Sequence, residues 1–192
     1  VISAGQQPTT GGAVPSQQPV ATLDARYSGP DARAVPWPEA AGLLEQAELF
    51  WVSTIRPDGR LHVTPVVGVW LDGAFYFSSG AGEQKSKNLA VNRQCAVTSG
   101  CNTWEAGFDI VLHGEAVVAS DLPLLRRVAA AFLAKYGQSW AFDVADDGTF
   151  SADGHGSALV YEVVPAQAVG FGKGEPFSHT RWDFRAAAAP AR

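Results

Sequence analysis

Apolar and polar residues alternate with a period of two through "LFWVSTI" (49–55), "LHVTPVVGVW" (61–70), "AFYFSS" (74–79) and "FDIVLHGEAVVAS" (108–120). This is the pattern of half-buried antiparallel strands. "CAVTSG", "SALVYEVVP" and "QAVGFG" read as further strands. "RPDGR" is a hairpin turn in which Asp58-Gly59 takes the positive-φ positions, and "LDG" is a second tight turn. Gly114, inside its strand, predicts a bulge there. Three segments change period. "PWPEAAGLLEQAE" (36–48) predicts a short helix with Pro38 at a tolerated early position, and another helix runs to about Asn92. In "DLPLLRRVAAAFLAKYG", Asp121 caps a helix, Leu125, Val128, Ala129, Phe132, Leu133 and Tyr136 share one face, and Gly137 ends it. Six or seven strands with two or three inserted helices predict a mainly β, α+β domain, a closed or partly split antiparallel barrel.

The ends are different. Residues 1–34 are rich in Gly, Pro, Gln, Ser and Thr and read as an extended N-terminal arm without a core of its own, with a partner subunit as the natural candidate to pin it. The folded domain is assigned to 35–185 and a tail to 186–192. A chain of 192 residues can bury a core in one domain. Net charge near -5 argues against a nucleic-acid binder, and no apolar run reaches membrane-spanning length. The start lacks the features of a secretory signal, and Cys95 and Cys101 read as free thiols, so a soluble, cytoplasmic protein without a metal site is expected.

The stretch with candidate chemistry is "SSGAGEQKSKNL" (78–89). Two glycines turn the chain after a strand, and Lys85, Lys87 and Asn88 follow at the opening of a helix. Unpaired N–H groups and the dipole of a helix start favour an anion, and Ser78 and Ser79 can add hydroxyl donors. Glu83 opposes that reading, and solvated lysines remain the alternative. The turn lacks Walker spacing, and "GFGKGEPF" lies in no βαβ context.

Taken in order, "GRLHVTPV", a Trp-containing strand, "DGAFYFSS", "KSKNLAVN" and "FGKGEPFSHTRWDF" resemble the split β-barrel family of pyridoxamine-phosphate-oxidase-like flavin and deazaflavin oxidoreductases, over roughly residues 36–185. The resemblance implies a homodimer with a cofactor groove at the subunit interface. Lys85 would receive the phosphate of FMN or of the deazaflavin coenzyme F420, flanked by Ser78, Ser79, Lys87 and Asn88. His62, Val63, Thr64 and Pro65 would run beside the ring, with backbone N–H groups reaching its edge. Glu83 departs from the family pattern. Arg181 either pairs with an acid or approaches the cofactor, and Trp182 is either core or a ring contact. The Ala/Gly-rich, Met-free composition leans toward F420, for whose anionic tail Arg56, Arg60 and Arg93 are candidate partners. The implied function is an F420-dependent reductase passing a hydride to a small conjugated substrate. The alternatives are an FMN-dependent oxidase or a non-catalytic cofactor or haem binder, with His62 or His113 as the axial ligand. No catalytic side chain is assigned; His155 and His179 read as loop and flanking residues, and Trp104, Trp140 and Phe142 as substrate wall or core.

Overall fold

The computed structural model describes residues 18–152 and 155–185, so most of the predicted arm and the tail from Ala186 lie outside the described residues. The described chain runs β1 (Val20–Leu23), α1 (Trp37–Gln46), β2 (Phe50–Ile55), β3 (Leu61–Val66), β4 (Val69–Leu71), β5 (Ala74–Ser79) and α2 (Gln84–Val91). It continues through β6 (Gln94–Ser99), β7 (Gly107–Val118), α3 (Leu122–Tyr136), β8 (Asp143–Val144), β9 (Phe150–Ala152), β10 (His155–Lys173) and β11 (Ser178–Asp183).

Every strand pair is antiparallel. The main order is β1-β11-β10-β7-β6-β2-β3, with β5 joining β10 and β4, and β9 joining β10 and β8. No pairing joins β3 to β5 among the described residues, so the sheet stays open there as a split barrel. The 19-residue β10 spans both halves, its first part beside β5 and its second beside β11, with β7 along its other edge.

Strand β5 is buried on both faces. Phe75 and Phe77 enter the barrel core with Phe50, Leu112, Tyr161 and Val163. Ala74 and Tyr76 point the other way, against Leu125, Val128 and Phe132 of α3. Each such aromatic removed from water contributes about 1.5–3 kcal/mol before chain entropy is counted. The helix forms where the pattern predicts. Asp121 accepts from the Leu124 N–H at 3.0 Å, and Gly137 ends the helix at φ 76. Leu133, expected on the apolar face, is exposed.

Several expectations are corrected. "LHVTPVVGVW" is two strands, interrupted at Val67 and Gly68, where the backbone is packed tightly against β5. A Cβ on Gly68 would stand 2.3 Å from the Phe75 ring and 2.7 Å from the Tyr76 carbonyl oxygen. In the 56–60 loop only Gly59 has positive φ, whereas Asp72 and Gly73 both do, so the primed-turn geometry belongs to "LDG". The register slips not at Gly114 but opposite it, between Pro165 and Gln167. The two final strands predicted on either side of that bulge are one, β10, and His155 begins it rather than lying in a loop. Val20–Leu23, within the segment read as an arm, pairs with β11 of its own chain.

Candidate anion-binding turn and cleft

β5 carries Ser78 and Ser79 to the edge of the barrel, Gly80–Gly82 reverse the chain, and Glu83 precedes α2. Lys85 lies on the buried side of α2, its side chain only 9% exposed, with its ammonium against Oε2 of Glu83. The other carboxylate oxygen accepts the Gly80 N–H at 2.7 Å. One carboxylate thus bridges a lysine and a backbone amide across the turn. Partial burial raises the Glu83 pKa, but the Lys85 ammonium and the Gly80 amide more than offset this and hold it below the ordinary value.

Beneath the turn, Ser86 Oγ donates to Ser79 Oγ at 2.7 Å. Asn88 is fully buried; its Nδ2 donates to Thr54 Oγ1 at 2.9 Å and its Oδ1 accepts from Gln84 Nε2 at 2.8 Å. Arg56 extends this chain to Gln84 at 3.3 Å. Asn88, expected as a cofactor contact, therefore has its amide committed to fastening α2 onto β2. Ser79 is buried in the same fastening, whereas Lys87 is exposed and lines neither cleft below.

Along β3, Val63 and Pro65 point outward while His62 and Thr64 are half-buried on the other face. His62 Nδ1 is sealed from solvent without a hydrogen-bond partner. Pro65, Val66, Val67, Ser78, Lys85 and Trp140 line an open cleft of about 360 Å³. On the far side of Ser78 and Trp140 is a second cleft of about 560 Å³, reached by Gly80, Glu83 and Phe142. The structure thus brings Pro65, Ser78 and Lys85 together. It adds Val66, Val67 and the Gly80 N–H, which the sequence reading had not singled out, and gives Trp140 a place in both cleft walls.

Arg181 and Trp182 line neither cleft. Arg181 pairs with Asp24 at 3.2 Å. Trp182 is in the core, 5.4 Å from Trp37 between ring centroids, its indole N–H donating to the Val35 carbonyl at 3.0 Å. This corrects the ring-contact expectation within one chain, since an indole 1% exposed offers no face to a ligand. A larger cleft, about 880 Å³, is elsewhere, walled by Tyr27, Trp104, Phe171, Phe177 and His179. The 360 Å³ cleft is the one lined by Lys85, and the 560 Å³ cleft adjoins it through Ser78 and Trp140 and takes in Gly80 and Glu83 of the same turn, so the site is placed there. His113 is exposed, Arg60 is paired with Asp58, and Arg56 alone of the three candidate arginines bonds to the start of α2. Among the described residues there is no cluster of three or more His, Cys, Asp or Glu that could hold a metal, and no helix is long and apolar enough to cross a membrane.

Residues 36–168, most of the barrel and the whole turn, match the family described as pyridoxamine 5'-phosphate oxidase. The chain belongs to that family. Solved structures share the fold at low identity. The conserved hypothetical protein Rv2991 from Mycobacterium tuberculosis is 18% identical, with a TM-score of 0.57 over 82% of this chain and 91% of that one. A heme binding protein from Mycobacterium smegmatis is 18% identical, with a TM-score of 0.60 over 80% of this chain and 60% of that one. HutZ, the heme storage protein from Vibrio cholerae, is 14% identical, with a TM-score of 0.53 over 67% and 88%. No curated protein matches the chain.

Proposed function

We propose that this family member is an F420-dependent reductase that works as a homodimer, with the turn as the seat of the cofactor phosphate. The observation that carries the reading is the bridge at Glu83. The turn already holds an oxyanion, a carboxylate, on the Gly80 N–H and the Lys85 ammonium. Those donors suit a phosphate oxygen equally well. The residues therefore fit a phosphate-bearing cofactor, provided that Glu83, whose side chain is 52% exposed, can swing aside.

Bound there, the deazaflavin supplies the hydride chemistry. The chain's own residues bind and orient. Lys85 and Gly80 hold the phosphate. Ser78, Pro65, Val66 and Val67 wall the cleft beside it, and β3, an edge strand paired with β2 on its other side, offers the backbone N–H of Val63 toward a ring edge. Trp140 provides an apolar wall for a small conjugated substrate. His62 and Thr64 support this edge from within. The dimer reading assigns Arg181 a role that its own chain does not: a second copy would bring its arginine to the groove. Arg56, beside α2, is the candidate contact for the F420 tail.

Haem binding is the second reading, motivated by the unpartnered His62 Nδ1; a ligating imidazole would have to turn outward from its sealed position. Separate titrations with F420, FMN and haem, followed by fluorescence quenching or absorbance, distinguish the readings. Lys85→Ala is expected to weaken F420 binding by about 1–3 kcal/mol and to flatten its salt dependence. Unchanged affinity in that variant would remove the turn from the site.

A further inference from the structure

The charges at the turn nearly cancel. Lys85, almost enclosed, faces one carboxylate, and that carboxylate is held in place by its second contact, the Gly80 N–H. A freely solvated surface pair would not be fixed at both oxygens. A phosphate entering this seat therefore meets a lysine whose charge is already offset. It must displace the carboxylate or lie beside it. Either way the cost rises with the number of charges the ligand brings.

Phosphate ligands differ in that number. A phosphomonoester, as in FMN, carries close to two negative charges at neutral pH. A phosphodiester, as in F420, carries one. Arg56, bonded to Gln84 at the start of α2, adds a second cation beside the turn, so the bridge governs how much negative charge is tolerated rather than whether any is. We propose that Glu83 is a specificity-determining residue that sets the turn for singly charged phosphodiesters over doubly charged phosphomonoesters. The proposal rests on the reading of the turn as a phosphate seat. It gives a role to the carboxylate at which the chain departs from the family pattern.

The test compares the native protein, Glu83→Gln and Lys85→Ala, each titrated with FMN and F420 at neutral pH and fixed ionic strength. An extra unit charge at ion-pair distance from a half-exposed carboxylate corresponds to about tenfold in affinity. Glu83→Gln is therefore expected to tighten FMN about tenfold more than it tightens F420. The same order should appear with inorganic phosphate against dimethyl phosphate, read from the Gly80 amide resonance without any ring. Equal tightening of both ligands, or none, overturns the role of Glu83; the phosphate seat stands in that case if Lys85→Ala weakens binding. If Lys85→Ala weakens neither cofactor and the Gly80 amide responds to neither small anion, the seat fails and the inference with it.

Discussion

Lys135 offers a quantitative test of the packing between α3 and the strands. Its ammonium donates to the Gly68 carbonyl at 3.1 Å and lies 5.1 Å from the Phe50 ring centroid and 5.3 Å from that of Tyr136. Burial lowers its pKa from 10.5 to about 8, against the opposing pull of Glu48 and Glu45. The folded protein therefore holds this proton less tightly than the unfolded chain. Below pH 8 both states are protonated and the folded state bears the full cost; between pH 8 and 10.5 the folded state releases its proton first, and the cost fades. Stability from this group thus rises with pH across that window. Undiscounted, the shift corresponds to about 3 kcal/mol. The ammonium is about half exposed, and screening brings the expected gain to about 1 kcal/mol. Urea unfolding at several pH values, native against Lys135→Met, isolates the effect. Methionine keeps the contact with both rings and removes the titration, while other titrating groups cancel in the comparison. The native curve should gain on the variant by about 1 kcal/mol between neutral pH and pH ~10. Parallel curves would refute the assignment of Lys135 to a desolvated site.

Gly68→Ala should cost about 1–3 kcal/mol in chemical denaturation, since its Cβ would overlap Phe75 and a backbone carbonyl; a loss below about 0.5 kcal/mol would mean that the β3–β4 break relaxes easily. Asn88→Ala should lower stability by about 1–3 kcal/mol by taking the donor from the Thr54 hydroxyl oxygen and the acceptor from the Gln84 amide N–H. At mildly alkaline pH a thiol reagent should modify Cys101 quickly and Cys95 only on unfolding, because Thr103 and Lys173 lower the Cys101 pKa while burial raises that of Cys95 to about 12. Loss of the fast phase in Cys101→Ser checks this, and a fast phase persisting there would overturn it.

Legibility followed the range of the causes. α3 could be bounded from sequence because Asp121 and Gly137 act within a turn of the residues they cap. β2 and β5 were evident from alternation that is encoded locally. The break at Gly68 was not, because it is enforced by Phe75 and by the Tyr136 hydroxyl, which accepts the Gly68 N–H at 3.1 Å. The bulge was foreseen at Gly114 and lies across from it, since the glycine makes room for the bulged strand: a Cβ there would meet the Val164 carbonyl at 2.4 Å. At the site, the turn was legible as a candidate anion seat from the order of Ser, Gly and Lys between a strand and a helix, and the structure adds that Lys85 is buried there. The internal partner of Lys85 was not legible, because Glu83 registers in sequence only as an unfavourable charge. Its function as a bridge depends on where the Gly80 amide points.

The length and position of β10 bear on how the chain is made. It is synthesised after β1–β9, yet it pairs with β5, β7 and β9 as well as with β11. Until it emerges from the ribosome, β5 has only β4 beside it, and the edge of β7 away from β6 is bare. A nascent chain ending before residue 155 would expose a three-strand ribbon, β3-β2-β6 extended by β7, without the strand that seals its apolar side. Premature termination should accordingly yield aggregation-prone fragments rather than a smaller folded unit.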